Sequence, residues 1–171
     1  YWAMPHWIDN GLYKVIGTAK PKGRKLEFKV DDWERKGLQE CARNETLTAP
    51  KTLVMLGREE FYENRQRTNQ SAAFVRFLLE SKSKKTRSIL HDYLKNLQDI
   101  LDEQKAAEEG KEKAAYDAPE TEEEEEERFR KRREAMKERE AEFLQEAFQR
   151  TFGEWDEKDW KKVQKQYYKS L

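Results

Sequence analysis

Two histidines, one cysteine and an abundance of carboxylates are the residues here that can hold a metal or move a proton. His6 and Asp9 stand three positions apart, so on a helix they reach a common point in space. Two donors do not complete a zinc site, which takes three or four protein ligands. His91, the other histidine, lies more than eighty residues away. Each histidine therefore reads as satisfied by a neighbour or by solvent. Cys41 is the only thiol, so no disulfide pairs within the sequence. On a helix it reads as a packed or partly exposed side chain and not as a nucleophile. HExxH, GxSxG, a glycine-rich phosphate loop and CxxC are all missing from the sequence. Acidic residues are so frequent that choosing two as a general acid and base is arbitrary. The residues taken singly assign no catalytic group.

The charge pattern offers a second kind of chemistry. Arg128, Arg130, Lys131, Arg132 and Arg133 form a basic cluster of the sort that binds nucleic acid or anionic lipid. The six glutamates of residues 122–127 come directly before it. Within a Debye length of ~8 Å the two fields largely cancel. A charge-laced, solvated helix is the better reading. Phe129, Met136 and Phe143 recur at sevens, but one apolar residue per heptad makes a thin coiled-coil seam. Across the chain 35 basic and 35 acidic residues balance. That balance argues against a general nucleic-acid binder, which needs a basic surplus. Charged residues make up 41% of the chain and aromatics 12%, with five Trp and eight Phe. The combination predicts a packed domain carrying long solvated helices. No apolar run approaches the ~20 residues of a membrane span.

The elements that must position these residues are mostly helices. Pro5 opens a helix over residues 5–17 with Trp7, Ile8, Leu12, Val15 and Ile16 inward. Gly17, Pro21 and Gly23 break it, and the alternation of Lys25 to Val30 marks a short half-buried strand. Asp31 or Asp32 caps the next helix, with Trp33, Leu38 and Cys41 on its inner side. A polar loop over 44–50 precedes a short helix from Pro50 that Gly57 stops. Glu59 to Tyr62 begins another segment. Ser71 to Leu79, the most apolar stretch, is the expected central helix. After a basic turn at Lys82 to Lys85, Leu90, Tyr93, Leu94, Leu97 and Leu101 form an amphipathic helix. Pro119 introduces a long helix with acid first and base second, as the helix dipole favours. It should leave the body as a charged rod and pack only over its last three turns, at Phe143, Leu144, Ala147, Phe148 and Phe152. Gly153 is expected as its C-terminal cap. Asp156 then caps a closing helix whose stripe is Trp160, Val163, Tyr167 and Leu171.

The expected fold class is mainly α, a helical bundle with at most one short β-hairpin and a long charged helix. Residues 1–102 form the helical core region, 103–119 a linker or solvated helix extension, and 120–171 the charged helix plus a closing helix packed on the core. With two Trp among its first seven residues the chain reads as starting inside a longer parent. That predicts apolar surface exposed around Trp2 and Trp7.

Three segments in order carry a resemblance. Pro5-His6-Trp7-Ile8-Asp9-Asn10-Gly11-Leu12 resembles the P-x-W-[LI]-x-E-G-[LA] segment of gluzincin-type zinc metallopeptidases. Phe61-Tyr62 followed by Ser71 to Leu79 is similar to that family's tyrosine-then-core-helix segment. Glu146-Ala147-Phe148-Gln149-Arg150-Thr151-Phe152-Gly153, then Asp159-Trp160 and Tyr167, resembles its closing pattern. The resemblance implies the C-terminal helical subdomain of a gluzincin-like domain, with residues 103–142 as an enlarged insertion. It implies an HExxH helix upstream in the parent, and zinc there with no cofactor in this chain. The family's third zinc ligand is a Glu, and Asn10 stands at that position. A neutral amide is a poor zinc ligand, and Asp9 points about 100° around the helix from it. The expectation is a part that is non-catalytic by itself, bound to the remainder of its parent and to a peptide or protein partner. The other hypothesis is a non-enzymatic helical interaction module that docks or self-associates through Phe143, Phe148 and Phe152. No nucleic-acid partner is expected.

Overall fold

The computed structural model describes residues 4–23, 25–28, 30–108 and 121–171. Helix α1 (His6–Gly17) starts directly after Pro5, whose φ of −54° and missing N–H suit a helix edge. Its inner face is Trp7, Ile8, Gly11 and Val15. Ile16 does not join them: it is 66% exposed, one helical step round from Val15 and off the stripe. A hairpin follows. Strands β1 (Ala19–Lys22) and β2 (Lys25–Phe28) pair antiparallel from Ala19↔Phe28 to Lys22↔Lys25, and Gly23 turns the chain at φ +63°. With two strands and no third neighbour, Pro21 forfeits no necessary ladder bond.

Helix α2 (Asp32–Arg43) is capped by Asp31, whose carboxylate accepts from the Trp33 backbone N–H at 2.9 Å. Leu38 is its one fully buried side chain. Trp33 is corrected to an outward position, 77% exposed. It lies five residues before Leu38, which is about 140° away around the helix. Cys41 is half-buried. Helices α3 (Pro50–Leu53) and α4 (Arg58–Tyr62) are short, and Gly57 separates them as its position suggested.

Helix α5 (Gln66–Glu80) is the centre of the bundle. It buries Gln70, Ser71, Ala73, Phe74, Val75, Phe77 and Leu78 and meets α1, α2, α3, α6 and α8. Its contact with α1 is the most extensive in the fold. The close approach rests on Gly11, where an added Cβ would sit 2.9 Å from the Ser71 carbonyl oxygen and 2.5 Å from Val75 Cγ2. Buried Gln70 ties the 44–50 loop down, accepting from the Thr48 N–H at 3.2 Å and donating to the Thr48 carbonyl. Its own backbone carbonyl accepts from the Tyr167 hydroxyl at 3.1 Å.

Helix α6 (Lys84–Glu108) carries the stripe Leu90, Tyr93, Leu97 and Ile100. It runs through residues 103–108 of the expected linker, and 109–120 lie outside the described residues. Helix α7 (Glu122–Phe152) has every described side chain between Glu125 and Arg139 exposed and then buries Phe143, Leu144, Ala147 and Phe152. The rod and its packed end are both present. Helix α8 (Glu157–Ser170) is capped by Asp156, which accepts from the Lys158 and Asp159 N–H groups at 2.8 and 2.9 Å. Trp160, Val163, Tyr167 and Leu171 are all buried. Phe148 stacks on Trp160 with the ring planes 5° apart, and Phe152 lies 4.8 Å from the same ring.

Two expectations fall with this packing. The face expected to dock is instead taken up by the core, with Phe143 and Phe152 buried and Phe148 partly so. Trp7 is fully buried against Phe74 and Tyr93 and exposes no apolar surface of its own; Trp2 lies outside the described residues. Gly153 follows α7 without a left-handed backbone. Its requirement is space, since a Cβ there would be 2.5 Å from the Gln149 carbonyl oxygen. The fold is mainly α, a helical bundle with one hairpin. Among the described residues no helix is long and apolar enough to cross a membrane.

Candidate functional site

The first turn of α1, the end of α4 and the middle of α7 converge on one cleft of ≈ 740 Å³. His6, Tyr62 and Glu140 contribute its polar floor, and Met4 and Met136 are its apolar rim. His6 is held from two sides. Its Nε2 is 3.1 Å from Glu140 Oε1, and its ring meets the Tyr62 ring edge-on at 5.3 Å.

Asn10 follows His6 by one turn. Its Nδ2 donates to the His6 carbonyl at 2.9 Å and to the Tyr62 hydroxyl at 3.0 Å. A carbonyl only accepts, so the amide N–H must point that way. Asp9 is exposed, about 100° around α1 from Asn10. Asn10 and Tyr62, drawn from two separate segments of the sequence, are therefore direct partners. Asp9 and His6 are not brought together, and His91 sits exposed beside Asp92 at 3.2 Å.

Charge defines the rest of the cleft. Glu59 binds Lys137 at 2.8 Å and Arg133 at 3.4 Å, joining α4 to α7. The hydrogen bond from Lys137 comes first among the influences that hold the Glu59 carboxyl below the usual carboxylate range, with the nearby Lys137 and Arg133 charges adding to it. Arg58 is a third cation on the wall. Three cations thus face two carboxylates, Glu59 and Glu140. These links span 74 to 134 residues of sequence, so no local spacing announces them.

The site can present hydrogen bonds, a modest positive field and thioether surface to a ligand. It does not fit zinc at Asn10. The amide is already committed as a donor to two oxygens, and a carboxylate in its place would set oxygen against the His6 carbonyl. His6 is engaged by Glu140. Among the described residues no three His, Cys, Asp or Glu side chains gather around a common point. Comparison with protein-family models, with curated proteins and with solved structures gives no match.

Proposed function

We propose that this chain is the C-terminal part of a gluzincin-type peptidase-like domain, non-catalytic by itself, in which the third-ligand position has become a structural amide. The single observation in favour is the Asn10–Tyr62 hydrogen bond at 3.0 Å. The resemblance singles out both residues on sequence alone, in segments 52 positions apart, and the bond joins Asn10 to a residue that lines the cleft. The same bond uses Asn10 as a donor, a role no glutamate can fill.

The family's zinc supplies a Lewis acid for attack of water on a peptide carbonyl. At Asn10 that chemistry has no anchor, and no step is assigned through it. What the residues retain is recognition: His6, Tyr62 and Glu140 on the floor, and Arg58 and Lys137 on the wall.

The test is metal analysis of the intact protein that contains this chain, with and without Asn10→Glu, alongside a peptidase assay on an unstructured peptide. The expected result is an upstream HExxH, no stoichiometric zinc, no cleavage, and higher zinc occupancy in Asn10→Glu. Lack of an HExxH upstream overturns the family reading. Stoichiometric, tightly held zinc in the natural protein overturns the loss of the ligand.

A further inference from the structure

We propose that the exposed rod of α7 is a self-association surface, and that its occupant is the same rod of a second copy lying antiparallel across Phe129. The large apolar side chains left uncovered on α7 are Phe129, 66% exposed, and Met136, 41% exposed. They are seven residues apart and share one face of the helix. The residues one turn to either side of Phe129 on that face differ in sign. Glu125 and Glu126 lie before it, Arg132 and Arg133 after it, and all four are exposed.

That order selects the partner. A two-fold axis through Phe129 sets the two phenyl rings against each other. It also places Glu126 of each copy opposite Arg132 of the other, and Glu125 opposite Arg133, which in each copy also pairs with its own Glu59 at 3.4 Å. A parallel arrangement would face acid with acid and base with base. Arg128 and Arg130 point about 100° to either side of this face and stay off the seam. Within one copy the acidic and basic blocks follow each other along the axis, so they meet only as neighbours such as Glu127 and Lys131 at 2.8 Å. Met136 continues the face to the cleft, where Lys137 is held by Glu59 at 2.8 Å.

The seam is short, so charge and not apolar area sets its register. Fifteen residues of overlap are ~22 Å of helix. Such a pair buries less than the ~1,200 Å² at the lower limit of stable interfaces. Association is therefore concentration-dependent and sensitive to salt.

Sedimentation equilibrium on the full chain tests this, with three variants whose fold is checked by circular dichroism. One is Glu125→Arg with Glu126→Arg, one is Arg132→Glu with Arg133→Glu, and the third is Phe129→Ala. The natural chain is expected to dimerise with rising concentration at low salt and to dissociate in molar salt. Each charge variant is expected to be monomeric alone, and their equimolar mixture to associate. Phe129→Ala weakens association at least fivefold. A natural chain that stays monomeric at low salt, or association unchanged in all three variants, overturns the proposal. A monomer that is retained on heparin assigns the face to a polyanion instead and overturns it as well.

Discussion

The amide of Asn10 reaches across 52 residues of sequence to the hydroxyl of Tyr62, 3.0 Å away, while the same nitrogen donates to the His6 carbonyl. Asn10→Asp keeps the shape, removes both donors and turns a carboxylate oxygen toward a carbonyl. A loss of about 1–2 kcal/mol in urea unfolding is expected, against a smaller loss for Tyr62→Phe, where half-exposed Tyr62 can bind water instead. A stable Asn10→Asp protein would show that the amide is not holding α1 to α4.

Gly11 sets the distance between α1 and α5. An alanine methyl must displace the Ser71 backbone or Val75, and backbone does not yield cheaply. Gly11→Ala is expected to cost about 1–3 kcal/mol, near the upper end, even though alanine is the better helix former. Thermal unfolding measures it. An unchanged Tm would mean that the two helices can slide apart.

Two buried tyrosines make opposite predictions. Tyr167 donates to the Gln70 carbonyl, so Tyr167→Phe should lose about 1 kcal/mol. The Tyr93 hydroxyl and the Trp7 indole N–H are buried with no hydrogen bond of good geometry, so Tyr93→Phe should be neutral or stabilising. Burial pushes both phenols up from the ordinary value. The sign follows from linkage: the folded state holds its protons longer than the unfolded one. Stability is whole below the unfolded tyrosine pKa of about 10 and declines as pH climbs above it toward the folded values. Absorbance near the phenolate band should show these two ionising only as the protein unfolds.

Glu59 titrates in the other direction. Its folded-state pKa is depressed, so the α4–α7 link is present above the ordinary Glu range of about 4.3 and is lost as pH falls through the lower folded value. Carboxyl NMR, with the resonance identified through Glu59→Gln, should place Glu59 below the ordinary Glu range. Lys137→Met should raise its midpoint, because that hydrogen bond is the largest cause. No movement in Lys137→Met would assign the shift elsewhere.

Local signals wrote most of the architecture. The Asp31 and Asp156 caps, the break at Gly57, the Trp160-to-Leu171 stripe and the apolar core of α5 each depend on residues a few positions apart. They appear in the structure where the pattern puts them. Trp33 was misplaced because aromatic character alone suggested burial. Its angle from Leu38 on a helix with one buried residue says otherwise. The cleft was half legible. Resemblance pointed at Tyr62 and at its partner Asn10 behind it, but Glu59, Arg58, Lys137 and Glu140 are ordinary surface charges until α7 folds back across α1 and α4. In a chain with this density of charge, no composition or spacing distinguishes those four from the rest. The Phe143 face packs where the periodicity expected it to, but periodicity shows that a stripe seeks cover and not which helix supplies it.

Gln70 has one more consequence. Its side chain pins the 44–50 loop and its carbonyl receives Tyr167, while Gln39 donates to the Leu171 carbonyl at 2.7 Å. The packing around the central helix is therefore complete only when the fourteen-residue α8 has arrived. During synthesis α1 to α6 must emerge with Phe74 and Phe77 still uncovered on one side, since Tyr167 is the ring that closes over both. A ribosome-bound chain stalled before α8 should thus be protease-sensitive around α5, and protection there should arrive once α8 has emerged.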